Sequence, residues 1–213
     1  MRSETLLEAA TVCHELLDGA AHSDADWDGP AGMLDWTCRR TLDHLPDTML
    51  LYAAHLATRA TRGLPFVRDG DPGASVRHLV RTIQSSAAIL AEVAAAAGPD
   101  VRAYHPAGMA DAGGFVAMGC DELLIHTHDI ATGLARPFTP PPDLCAGVVA
   151  RLFPWVAGEL GDVEPWPALL WANGRGPLWG HPQLDPDWYW QAAPLAEWDG
   201  SPRTRTAPPA WST

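Results

Sequence analysis

Periodicity is the strongest constraint on this fold. Apolar residues recur every three or four positions along most of the chain, and no convincing alternating pattern appears until late. Ser3 reads as the cap of a first helix ending near Asp18, with Leu6, Leu7, Ala10, Cys13 and Leu17 on one face. Asp35 reads as the cap of a long second helix, from Trp36 to about Thr61, with Met49, Tyr52, Ala53, Leu56, Ala57 and Ala60 as its stripe. Pro46 lies inside that helix and is expected to kink it, because proline lacks the amide donor and crowds the preceding turn. A third helix spans Ser75 to Ala97 and is stopped by Gly98-Pro99. Asp111 can cap a fourth that runs to about Thr132, with Gly133 as its C-cap, and "PPDLCAGVVARLFPWVAGEL" supplies a fifth. Such a series predicts a mainly α antiparallel bundle over residues 1–162. From there to residue 213 the sequence turns rich in Trp, Pro and Gly. That stretch reads as a short irregular tail packed on the bundle, in which "DWYWQAAPLAEW" is a strand or an irregular cover.

Composition narrows the functional classes. The formal charge of −12 opposes nucleic-acid binding, which needs clustered cations. All 14 basic residues are arginine, a bias of GC-rich bacterial genomes. No run of about 18 apolar residues marks a membrane span, and the charged N-terminus "MRSETLLEAATVCHELLDG" has no signal-peptide core, so a cytoplasmic location is expected. Cys13, Cys38, Cys120 and Cys145 lack CxxC spacing and are expected to be reduced core thiols.

Polar chemistry concentrates in "CDELLIHTHDIATGL", residues 120–134. Residues four apart lie about 40° apart on a helix, so Glu122 and His126 share a face with Phe115, Gly119 and Ile130, while His128 points elsewhere. Glu-x3-His is a two-tooth clamp for a divalent cation, and the same spacing also describes a helix-surface ion pair. Catalytic zinc takes three protein ligands and keeps one position open, so a third donor is needed from another helix. His44, at the edge of the second helix's stripe, is the candidate. Asp129 is either a partner that orients a ligand imidazole or a solvated carboxylate near a helix end.

"DWTCRRTLDHL" resembles the W-T-x6-H-L signature that opens the second helix of the DinB-like metal-binding bundles. Within them it is similar to the N-terminal domain of mycothiol-dependent maleylpyruvate isomerase. "CDELLIHTHDIATGL" is similar to that family's Glu-x3-His helix, and "LLWANGRG", residues 169–176, resembles a Trp/Gly-Arg stretch late in such chains. The resemblance implies a DinB-like four-helix bundle whose His44, Glu122 and His126 hold one divalent metal, usually zinc. It also implies a low-molecular-weight thiol, mycothiol or similar, used in transfer or isomerisation on a small electrophilic substrate. A metal-dependent hydrolase, and a non-catalytic metal-binding stress protein, possibly dimeric, are the alternatives. Two departures stand out: Pro46 follows His44 closely, and a Trp-rich tail stands where the isomerase has an α/β domain.

An anionic thiol or substrate calls for arginines. Arg77 and Arg81, one turn apart on the third helix, and Arg175 in "NGRG" are the candidates, each equally readable as a solvated side chain. Trp179, Trp188 and Trp190 are candidates for a pocket mouth or for packing. "CHELLD" lacks the second histidine of a zincin, and no P-loop, G-x-S-x-G or G-x-G-x-x-G occurs. His55 lies about 16 Å along the helix from His44, too far to share a metal. His105, before Pro106, carries no assignment.

Overall fold

The structure is a computed structural model that describes residues 1–65, 71, 73–158, 160–161, 163–185 and 187–205. Most of the loop expected at "LPFVRDGDPG" lies outside the described residues, as does Asp162 at the expected edge of the bundle. Four long helices form the body: α1 (Ser3–Ala21), α2 (Cys38–Thr58), α3 (Val76–Ala96) and α4 (Ala112–Gly133). Two short strands, β1 (Ala103–His105) and β2 (Gly108–Ala110), pair as an antiparallel hairpin between α3 and α4. Then come α5 (Pro142–Leu152), a single turn α6 (Pro154–Ala157) and α7 (Pro165–Ala172).

Around the bundle the order is α1, α3, α2, α4, because α1 and α2 each pack on both α3 and α4. Contacts between ends fix the directions. Arg77 Nε reaches the Ala21 carbonyl at 3.3 Å, so the start of α3 meets the end of α1. Arg39 Nη2 reaches the Ala74 carbonyl at 2.6 Å, so α2 and α3 start together. The Cys38 thiol faces the Ile130 carbonyl, so the start of α2 meets the end of α4. The helices therefore run up, down, down, up. The α2–α4 pair is antiparallel, and this brings an early residue of α2 beside a late residue of α4.

Helix starts follow local chemistry. Asp111 caps α4 as expected, accepting from Gly114 N at 3.0 Å, and Ser75 caps α3. Asp35 does not cap α2. Residues 30–37 form a loop closed by an antiparallel bridge between Pro30 and Thr37, with Ala31 N donating to the Trp36 carbonyl and Cys38 N to the Gly29 carbonyl, so helical geometry begins only after Thr37, whose hydroxyl accepts from Arg40 N at 3.1 Å. Ser3 is likewise the first helical residue of α1 rather than its cap, and Arg2 precedes it without a side-chain bond. Pro46 is accommodated within α2 as a buried residue. Gly133 is the last residue of α4, and Leu134 occupies the C-cap. Its lack of a Cβ serves packing, since one would collide with the Pro30 carbonyl and the Cys38 thiol.

α4 is the central element. It packs on α1, α2 and α5, and residues on every side of it are buried. Gly119 sits where the four long helices converge: a Cβ there would lie 3.1 Å from Leu6, 3.2 Å from Leu90 and 3.3 Å from Met49. All four cysteines are buried and free, as expected of core thiols. α3 is long and apolar enough, by length and composition, to cross a membrane, contrary to the expectation that no such run exists. Its Leu79, Val80, Ile83, Ala87 and Leu90 fill the bundle core, while Arg77 and Arg81 are exposed.

The tail is more ordered than its composition suggests. "PWPALLWA" forms α7, which packs on α5. Beyond it the chain is irregular, with an isolated bridge between Trp188 and Thr204 and one 3-10 turn at Leu195–Glu197. The buried Arg151 of α5 ties it down, donating to the Gln191 carbonyl at 2.7 Å, the Ala192 carbonyl at 3.1 Å and the Asp111 carboxylate at 2.6 Å. Sequence reading missed the hairpin because "AYHPAGMA" is too short to show alternation. It carries His105 into a buried cluster with Tyr52, Phe115, Tyr189 and Trp190.

Two outcomes follow from packing and burial. Gly119→Val adds three carbons at a contact already tight, and is expected to lower stability by about 1–3 kcal/mol, read from thermal or denaturant unfolding. His105 is buried as the neutral ring, with Nδ1 accepting from Ala107 N, and burial pushes its pKa down from 6.5 to about 3. A lowered histidine pKa means the unfolded chain binds the extra proton. This stability is fully present above pH 6.5 and drains as pH falls toward 3, by up to about 1.4 kcal/mol per pH unit. Denaturant titrations across that window are expected to show a shallower pH slope for His105→Gln than for the unmodified protein.

Candidate metal centre

α2 and α4 meet at His44, Glu122 and His126. Glu122 Oε2 lies 3.4 Å from His44 Nε2 and 3.1 Å from His126 Nε2. One donor atom from each of the three residues falls within 4.8 Å of the others. The antiparallel α2–α4 packing produces this meeting, and the i, i+4 spacing on α4 sets the other two teeth. Between 10 and 13% of each side chain remains exposed. Trp36, from the loop before α2, closes one side, with its ring 5.1 Å from that of His44 and stacked 6.4 Å from that of His126. The Arg40 guanidinium lies over the Trp36 ring.

A row of bonded groups stands behind the cluster. His126 Nδ1 is 3.0 Å from Asp129 Oδ2, which directs the other ring nitrogen toward Glu122. Arg175 grips Asp129 with two parallel bonds, Nε to Oδ1 at 2.9 Å and Nη2 to Oδ2 at 3.0 Å. On the far side of Glu122, the Tyr52 hydroxyl donates to Oε1 at 3.2 Å, and Thr48 Oγ1 lies 3.1 Å from His44 Nε2. Next along α4, the buried Asp121 accepts from Asn173 Nδ2 at 2.9 Å and from Trp190 Nε1 at 3.1 Å.

The electrostatics follow from this pairing. Burial alone would raise the Glu122 carboxyl, but hydrogen bonds from His126 and His44 outweigh it and hold the group well below its ordinary value. Burial would lower His126, yet Asp129 and Glu122 lift it to about 9. Asp129 is pushed up by burial and pulled further down by His126 and Arg175. Asp121 has neutral partners, and burial raises it to about 7. Tyr52 is raised by burial and by the Glu122 charge, so its phenol keeps its proton and donates. Two imidazoles aimed at one carboxylate oxygen call for positive charge between them, supplied by a proton on His126 or by a divalent cation. Two imidazole nitrogens and one carboxylate oxygen form a common catalytic zinc set.

Other expected groups lie elsewhere. Arg77 and Arg81 are exposed on α3, and the described contacts bring neither to the cluster. Arg175 does come to the site, but its guanidinium is spent on Asp129 rather than presented to an incoming anion. Trp179 is almost fully exposed, Trp188 packs on Phe153, and Trp190 serves Asp121. His55 is engaged with the Leu51 carbonyl and Leu64 N, and His128 packs on Trp166. Sequence reasoning missed Tyr52, taken only as part of an apolar stripe, and Asp121. A buried phenol needs an acceptor and a carboxylate inside a helix needs donors, so both carried a readable signal.

The geometry defines a helical-bundle protein with a buried His–Glu–His cluster across two antiparallel helices. The model of the mycothiol maleylpyruvate isomerase N-terminal domain family matches residues 9–131, more than half of the chain, which therefore belongs to that family. No curated protein and no solved structure matches it. The matched region contains His44, Tyr52, Glu122, His126 and Asp129, while Arg175, Asn173 and Trp190 lie beyond it.

Arg175→Ala removes two charge-assisted bonds from a buried carboxylate and is expected to cost about 1.5–3 kcal/mol in denaturant unfolding. Arg175→Lys should recover only part of this, because an ammonium cannot make the parallel pair.

Proposed function

We propose that the protein is a metal-dependent enzyme whose His44, Glu122 and His126 hold one divalent cation, zinc by the chemistry of the donors. In this reading it uses a low-molecular-weight thiol of the mycothiol type to transfer to, or isomerise, a small electrophilic substrate. One observation carries the proposal: the convergence of the three donors within 4.8 Å in a chain of this family.

Each residue has a distinct task. His44 and His126 offer neutral imidazole nitrogens, and Glu122 offers its charge. Asp129, steadied by Arg175, keeps the proton on His126 Nδ1 so that Nε2 remains a donor. Trp36 shields one side from water. A divalent cation, when bound, supplies Lewis acidity that lowers the pKa of a thiol or water beside it. The exposed edge of the cluster is where thiol and electrophile would enter. None of Arg77, Arg81 and Arg175 is presented to that edge, so recognition of an anionic thiol is assigned to other groups. A cytoplasmic location, where such thiols stay reduced, suits this chemistry.

Metal analysis of protein purified without added metal tests the site: one divalent ion per chain is expected, and Glu122→Ala should abolish it. A chain without stoichiometric metal would reject the reading. Mycothiol at 100 times its dissociation constant is expected to stabilise the protein by about 2.7 kcal/mol, seen as a rise in Tm that unrelated thiols do not produce. Equal stabilisation by every thiol, or by none, would favour a hydrolase that activates water.

A further inference from the structure

We propose that Tyr52 is a positioning residue that makes Glu122 a one-oxygen ligand and so keeps a coordination position open. This inference rests on the metal-centre reading above and goes beyond it. The two oxygens of Glu122 are divided between different neighbours. Oε2 faces both imidazoles, at 3.4 and 3.1 Å, whereas Oε1 accepts the Tyr52 hydroxyl at 3.2 Å. The Tyr52 side chain has little freedom to leave. Its residue is 3% exposed, and its ring is wedged 5.3 Å from that of His105 and 5.6 Å from that of Phe115.

A carboxylate can bind a cation through one oxygen or through both. With Oε1 accepting from a buried O–H, binding through both oxygens would require the carboxylate to turn and pull Oε1 out of line with that donor, and a buried hydroxyl left with a poor acceptor is costly. The chain then offers three donor atoms, two nitrogens and one oxygen, which leaves zinc room for an exogenous ligand. Without the hydroxyl, Oε1 is released to take the fourth position itself. Tyr52 thus governs how many positions the protein fills, while His44, Glu122 and His126 govern whether the cation binds at all.

Cobalt(II) tests this, because its visible absorption is intense in four-coordinate sites and weak in sites of higher coordination. Unmodified protein and Tyr52→Phe are loaded with cobalt and compared, with thermal melting to show that both are folded. The substitution removes a single oxygen and leaves the ring packing intact. The expected result is one cobalt per chain in both, affinities within about 100-fold, and a clear loss of band intensity in Tyr52→Phe. Identical spectra would overturn the role of Tyr52 and leave the metal centre standing. Complete loss of cobalt binding by folded Tyr52→Phe would also overturn it, since the hydroxyl would then hold the ligand rather than restrict it. Failure of the unmodified protein to bind cobalt would overturn both readings. X-ray absorption on the zinc-loaded unmodified protein gives a second check, in which a carboxylate bound through both oxygens contradicts the proposal.

Discussion

Desolvation of α4 governs this structure. A helix packed on most of its sides can send little of its acids and imidazoles to water, and it carries Asp121, Glu122, His126 and Asp129 within nine residues. Each must find a partner on another element or be left at a cost of several kcal/mol. Glu122 finds His44 and Tyr52 on α2, Asp129 finds Arg175, and Asp121 finds Asn173 and Trp190. The cluster is thus a consequence of placing a polar strip in the centre of the molecule, and that placement follows from the order in which the helices pack.

The packing order matters as much as the residues. With α1 and α2 diagonal, α2 lies directly along α4 in the opposite sense, and a residue near the start of one meets a residue near the end of the other. Gly119 allows this approach at the point where the four long helices crowd together. An alternating up-and-down bundle could not keep these directions for the same four helices.

Much of this was legible in the sequence. Helical spacing predicted the four helices, and Asp111 caps one of them as expected, while Ser75, expected as the first residue of the third helix, proves to be its cap. The convergence of His44 with Glu122 and His126 was visible from spacing combined with family resemblance. Boundaries set by tertiary contacts were not visible. Asp35 has the right chemistry for a cap, yet a loop closed between Pro30 and Thr37 and pinned at Gly29 delays the helix. Arg175 was expected to hold an anionic thiol or substrate, and nothing in "NGRG" reveals that a buried aspartate would claim its Nε and Nη2. The hairpin at residues 103–110 was too short for any periodicity to show.

α4 serves two clients at once. Glu122 and His126 turn toward α2, while Asp121 and Asp129 receive Asn173, Trp190 and Arg175 from a segment that the family match does not reach. The helix therefore works like a socket with two fixed acceptors. A change in the segment that supplies these donors would therefore reach the His–Glu–His cluster at second hand, through the Asp129 carboxylate that Arg175 and His126 share.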